Sequence, residues 1–444
     1  MSRQREEFLG HPKGLYVCFL TELWERFSFY GMRAILVLYM VAKIDEVNPG
    51  LGWTKGFALS IYGWYTMAVY VTGLPGGWIA DRFLGQKKTV MLGGLLLCIG
   101  HSILAIDSIT AFIVGLVLIT LGVGGLKSNI STMVGGLYPA GDIRRDSAFT
   151  IFYMGINLGA LISSVVVGYV GETIGWHYGF GLAGIGMLIG QAVFFFGRKH
   201  LEGVGDFVPP QRQANGTHAH APLTKIEKDR VVVLLLAFLI QIVFWAAFEQ
   251  AGGLMNLYTS EKVDRMLLGF EIPASIFQAA NPLFILLFGT LVANYWLNRR
   301  KQRKQASSIY KMAIGTMIMG TGFLLMDGAA MQAASSGKAA AGWIIGAYLL
   351  HTIGELCASP VVMSFTTKLA PAKYASLMMG AYFAVTGLGN KLAGMAGELS
   401  ESVGEMAIFS GIFGFCMVFG LLLLALLKKL TALSHGADDD LVVG

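Results

Sequence analysis

The stretch Gly14-LYVCFLTELWERFSFYGMRAILVLYMVA-Lys43 decides how the rest of this chain is read. Crossing a bilayer takes ~20 apolar residues as a helix, and this run is longer than that. Its apolar background is nevertheless broken by Glu22, Glu25, Arg26 and Arg33. Each such charge costs roughly 2.5–3.5 kcal/mol at a helix centre on insertion scales. All four must therefore face a polar interior. At 100° per residue, Glu22, Arg26, Phe29 and Arg33 fall within about 60° of one another, with Glu25 and Tyr30 beside them. Glu22 and Arg26 also form an i,i+4 pair of favourable order. These charges could serve only to neutralise one another. Apolar packing of the same volume is usually no less stable, so a functional role explains them better.

Outward from this segment, the 444-residue chain is 55% hydrophobic and 14% charged. Soluble domains carry about 25% charged residues. Apolar runs recur along nearly the whole length without the alternating period of barrel strands, so an all-α polytopic membrane protein is expected. No cleavable signal peptide is visible at the start. The net charge of +6 fits basic loops holding one face in the cytoplasm, and nucleic acid is not expected as a partner. Cys18, Cys98, Cys357 and Cys416 all lie in apolar runs and read as small buried hydrophobes.

Charged breaks divide the chain into spans near 14–42, 54–82, 88–106, 110–137, 146–171 and 178–198. A second set follows near 229–259, 272–297, 307–327, 340–369, 374–399 and 404–428. Twelve transmembrane helices in two six-helix bundles result, over residues 1–198 and 229–444, with a polar linker at 199–228. Lys and Arg collect in one set of loops, including Arg82/Lys87/Lys88, Arg144/Arg145, Arg198/Lys199, Arg299–Lys304 and Lys368/Lys373. Arg3, Arg5, Lys13, Lys428 and Lys429 extend that set into the tails, whereas Glu172–Tyr178 and Glu401–Met406 carry neither. Both termini are therefore expected in the cytoplasm of a cell-membrane protein. In the linker, His218 and His220 are poor evidence for a metal, and none is expected. Asn215-Gly-Thr217 matches a glycosylation acceptor on the wrong face.

Six spans, a cytoplasmic linker and six more resemble the major facilitator superfamily, whose halves rock about a central site. Gly77-Trp-Ile-Ala-Asp81-Arg82 with Gly85 and Lys87-Lys88 is similar to that superfamily's loop signature, with one extra residue before Gly85. A simple helix stop would use the same residue types. Spans 4, 7 and 10 also carry deep charges, at Lys127, Glu249 and Glu355. Together with span 1 these are the equivalent cavity-lining helices of such a fold, which suggests the cross-pairs Arg33–Glu249 and Lys127–Glu355. Protonating a glutamate breaks its bridge, and the two ends of a zwitterion can replace it.

Glu22-x-x-Glu25-Arg26-Phe27-x-x-Tyr30-Gly31 resembles the signature of the proton-dependent oligopeptide transporter family. Phe149–Leu161 and Gly354-Glu355-Leu356-Cys-Ala-Ser359-Pro360 resemble two more of its segments. The resemblance implies a proton-coupled symporter of di- and tripeptides in the bilayer, acting as a monomer. No cofactor beyond the proton gradient is expected, and no enzymatic activity, since no nucleophile–base or metal spacing recurs near the expected cavity. Glu22, Glu25, Arg26 and Glu249 would couple protons, with Arg33–Glu249 as a gate pair. Lys127 would face the peptide carboxylate and Glu355 its amino end. Tyr30, Tyr70, Asn157 and Asn281 would bind its backbone, with Arg33 beside them. Phe29, Trp245 and Tyr382 would shape side-chain pockets. Phe29 and Tyr382 depart from the family's frequent tyrosine and tryptophan. His351 could tune Glu355, although an interhelical hydrogen bond is the simpler expectation, and Lys391 is either a further deep charge or a snorkelling end residue.

Another facilitator substrate (nitrate, an amino acid or a drug) fits less well. Nitrate transport goes with loss of the Glu-x-x-Glu-Arg set, and a drug exporter has no use for Lys127 and Glu355 at two ends of a zwitterion. A nutrient receptor would be expected to carry a large output domain that neither tail supplies.

Overall fold

The computed structural model describes residues 6–139, 142–207, 223–371 and 374–437. Pro209, Pro210, Asn215, His218, His220, Arg3, Arg5 and Lys373 lie outside them. The described chain is almost wholly helical. In order it forms α1 (Lys13–Val41), α2 (Lys55–Val71), α3 (Gly73–Ile79), α4 (Gln86–Leu104), α5 (Ile109–Gly136), α6 (Arg144–Thr173) and α7 (Trp176–Gly197). There follow α8 (Lys225–Phe248), α9 (Leu254–Lys262), α10 (Ala280–Lys301), α11 (Ser308–Ser336), α12 (Ala341–Leu369), α13 (Ala375–Val403) and α14 (Glu405–Leu433).

Nine helical stretches among the described residues are long and apolar enough to cross a membrane. α1 is not among them, because its charges leave no apolar window, and neither is the 17-residue α2. α14 leaves Phe415, Val418, Leu421 and Leu422 exposed, an arrangement suited to hydrocarbon rather than water.

Three expected spans are interrupted. The 54–82 run breaks at Thr72, between α2 and α3, where Gly73, Pro75, Gly76 and Gly77 weaken the helix. It then closes in a wide turn, with the Gly85 N–H donating to Ala80 O at 2.8 Å. The 229–259 run breaks at Glu249–Ala251, just before Gly252-Gly253. The 272–297 run starts as a tight turn at Ala274–Ala279, after Pro273. Hydropathy cannot see these breaks, because the apolar composition continues through them.

Two compact units are present. One comprises Met1–Thr54, Ala68–Gln211 and Glu271–Leu283, and the other Lys55–Met67, Arg212–Phe270 and Phe284–Gly444. Residues 55–67 and 271–283 are thus each grouped away from their sequence neighbours.

In the first unit α1 packs on α6 and α7, and α5 packs on α3 and α4. α3 and α5 cross with Gly76 against Gly124, where no side chain separates the two backbones. Ahead of α1, residues 6–13 form a strap in which Glu7–Phe8 pairs antiparallel with His11–Pro12. Arg144, at the start of α6, clamps it. Its Nη1 donates to Glu7 Oε1 at 2.8 Å and to Gly10 O at 3.1 Å, while Nη2 pairs with Asp142 Oδ2 at 2.9 Å. His11 Nδ1 meets the Tyr138 hydroxyl at 2.7 Å.

In the second unit α11 packs on α12 and α14, and α8 packs on α13. The α8 start is fixed by a capping box. Thr224 Oγ1 accepts the Glu227 N–H at 3.2 Å, and Glu227 Oε2 accepts the Thr224 N–H at 2.8 Å. Phe238, Met312, Phe365 and Leu423 meet in its core. All four cysteines are buried and free.

Candidate functional site

The first unit gathers most of the residues singled out in the sequence. Glu22, Glu25 and Arg26 are 1%, 0% and 2% exposed, so all three ionisable groups are withdrawn from solvent together. Arg26 Nε lies 3.1 Å from Glu22 Oε1 and also contacts Glu25 Oε2, so one guanidinium serves two carboxylates. Helical spacing creates this fork, since Glu22 is one turn before Arg26 and Glu25 is its neighbour. Glu22 Oε2, Glu25 Oε1 and Arg26 Nη2 are buried without hydrogen-bond partners among the described residues. Below the fork the Arg26 guanidinium sits 5.3 Å from the Phe29 ring centre and 5.8 Å from that of Tyr30. Arg33 approaches the same Tyr30 ring at 5.5 Å. Cation–π contacts of this kind gain strength when desolvated. Phe29 thus supports Arg26 from below.

Lys127 enters from α5 with its Nζ 4.2 Å from the Tyr70 ring centre. It forms no ion pair among the described residues. Asn157, on α6, is buried and donates through Nδ2 to Tyr153 O at 2.9 Å, leaving its carbonyl for another partner. Asn281 is half-buried at the start of α10 and belongs to the same unit.

The second unit holds Glu249, Trp245, Glu355 and Tyr382. Glu249 is buried at the break after α8, and the Tyr62 hydroxyl donates to its Oε1 at 2.6 Å. Trp245 meets Phe248 edge-on at 5.1 Å. Glu355 is half-buried on α12. Tyr382 packs into the apolar core beside Phe238 and Phe365.

The Tyr62–Glu249 bond was missed from sequence. Tyr62, Thr66 and Tyr70, spaced four apart along α2, did signal a polar stripe there. The interhelical hydrogen bond expected of His351 is not made among the described residues. Its ring lies instead 4.6 Å from that of Phe323, in space left by Gly322. Lys391 is buried, with Nζ 4.4 Å from the Trp64 ring centre, so it is a deep charge and not an end residue. A polar cavity of about 1520 Å³ opens between the strap and α5, lined by Lys13, Tyr138, Arg144 and His200; it contains none of the deep charged residues.

A multi-pass helical protein that keeps carboxylates and cations inside each helical unit is organised as a membrane transporter. Comparison with known proteins agrees. The sequence profile of the POT family matches residues 87–211 and 211–409. The chain is 37% identical to the uncharacterized transporter YclF of Bacillus subtilis, over 94% of each chain. It is 34% identical to the di-/tripeptide transporter of Lactococcus lactis subsp. lactis, over 98% of each. A crystal structure of the peptide transporter POT in complex with sulfate superposes with a TM-score of 0.90 at 34% identity, covering 97% of this chain and 98% of that one. The chain belongs to the POT family, and its fold is that of the major facilitator superfamily.

Proposed function

We propose that this protein imports di- and tripeptides together with protons by alternating access. The observation that carries this reading is the fork of Glu22, Glu25 and Arg26. Two buried carboxylates share one guanidinium, and each keeps an oxygen with no hydrogen-bond partner among the described residues. An added proton has an acceptor there, and its arrival changes which carboxylate Arg26 holds. On α5 of the same unit, Lys127 is a half-buried cation resting on Tyr70, with no ion pair among the described residues. It suits a peptide carboxylate.

In this reading Glu355 receives the peptide amino group, and Tyr30, Tyr70, Asn157 and Asn281 bind the backbone common to all peptides. Lys127–Glu355 and Arg33–Glu249 form and break as the two halves alternate, with Glu249 releasing Arg33 when protonated. Phe29, Trp245 and Tyr382 set side-chain preference. The protein works as a monomer in the cell membrane, with both termini cytoplasmic, as the Lys/Arg asymmetry favours.

Uptake of a labelled dipeptide into proteoliposomes, with and without an inward proton gradient, tests this. Gradient-driven accumulation is expected. Equal uptake without a gradient refutes the coupling, and no uptake across a panel of di- and tripeptides refutes the substrate.

A further inference from the structure

Residues 271–283 join the first unit, while α10 from Phe284 onward belongs to the second. One side chain takes three hydrogen bonds from the incoming end of this segment. Glu172, in the last turn of α6, presents both carboxylate oxygens to the start of the 274–279 turn. Its Oε2 accepts the Ala274 N–H at 2.9 Å. Its Oε1 accepts the Ser275 N–H at 2.7 Å and the Ser275 hydroxyl at 2.5 Å. These are the first amides of the turn, which have no partner within it, so a carboxylate is the acceptor best matched to them. Ser275 is fully buried, packed where α6 carries Gly168 one turn before Glu172. The second hold is weaker, with Gln278 Nε2 donating to Ala34 O of α1 at 3.3 Å.

We infer that Glu172 is a gating residue of transport, a latch that fastens the outer end of α10 to α6 and must release for the carrier to open outward. The inference rests on the transport reading and orientation proposed above. Because three hydrogen bonds converge on one carboxylate, a single local event can break all three at once. The bonds lie at the end of α6 that the loop charges assign to the outside. The segment they hold continues directly into a helix of the other unit, so releasing it changes what α10 is attached to.

The test places spin labels at exposed Asp107 and Leu268 and measures their distance distribution in wild type, Glu172→Gln and Ser275→Ala. The amide can still accept, but its NH₂ cannot serve a second donor. Glu172→Gln should enrich the longer-distance population by on the order of tenfold. Ser275→Ala, which keeps the backbone bonds, should give a smaller shift in the same direction. It also serves as the folded fallback if Glu172→Gln does not accumulate. Substrate exchange should change with the distances, whereas a merely structural role would lower the melting temperature and leave the distances alone. Unchanged distributions in both variants, with peptide uptake intact, overturn the latch and spare the transport reading. Shifted distributions without peptide uptake would do the reverse.

Discussion

Gly76 and Gly77 are adjacent on α3, and the structure assigns opposite outcomes to the same substitution at each. A methyl group at Gly76 meets Gly124 O first, and it lies 2.5 Å from Gly124 C and 3.1 Å from Gly125 N. All three are backbone atoms of α5, so no side chain can swing aside. Carbon–carbon contact is comfortable near 3.5–4.0 Å, so α3 and α5 must part by roughly an ångström. Overpacking of this kind costs about 1–3 kcal/mol, against about 1 kcal/mol gained from replacing Gly by Ala in a helix. Gly76→Ala should therefore be destabilised by up to about 2 kcal/mol net. A methyl at Gly77 has nothing within 4 Å, so Gly77→Ala should be neutral or gain up to about 1 kcal/mol. The crossing lies close in sequence to the Tyr70–Lys127 contact, so only Gly76→Ala should also raise the KM for peptide. Melting of the two purified variants in one detergent, followed by uptake kinetics, decides the matter. Equal shifts, or a larger loss at Gly77, would refute the argument from backbone approach.

Tyr62→Phe removes a buried hydrogen bond to a carboxylate and should cost about 1.5–3 kcal/mol, seen as a lower melting midpoint. Glu22→Gln should abolish proton-driven accumulation while counterflow exchange persists; equal loss of both would assign Glu22 to folding or binding. The strap should respond to acid. The Arg144 side chain bonded to Asp142 holds that carboxyl below its ordinary range. A depressed carboxyl stabilises the fold above its unfolded value, about 3.9, and that contribution fades as pH falls through the folded value. Hydrogen exchange of residues 6–13, taken relative to the intrinsic amide rate at each pH, should therefore stay slow at neutral pH and quicken only below about pH 4. Arg144→Gln should quicken it at pH 7.

The charged fork on α1 was legible in the sequence because its cost in an apolar helix is large and its spacing is set by helical geometry. Lys127, Glu249 and Glu355 were legible for the same reason. What escaped was partnership. Tyr62 is one of many aromatic residues in an apolar run, and only the folded chain brings its hydroxyl to a residue far along the sequence. Glu172 read as a loop acid because its acceptors face backbone N–H groups, which every residue but proline possesses. The interruptions at Thr72 and Glu249–Ala251 escaped because hydropathy averages over them. His351 was misjudged because a histidine among helices suggests a hydrogen bond, whereas Gly322 leaves room for its ring to lie beside Phe323.

The grouping of residues 55–67 and 271–283 has a consequence for biosynthesis. During translation the first unit lacks a piece of itself until residue 283 has left the ribosome, long after the linker has emerged. The second unit, conversely, needs a segment made near the beginning. A chain severed in the linker would give two fragments, each carrying a segment that packs in the other unit and missing one of its own. Final assembly is therefore a late, mutual event. The fragments should be degraded when expressed singly and persist when expressed together.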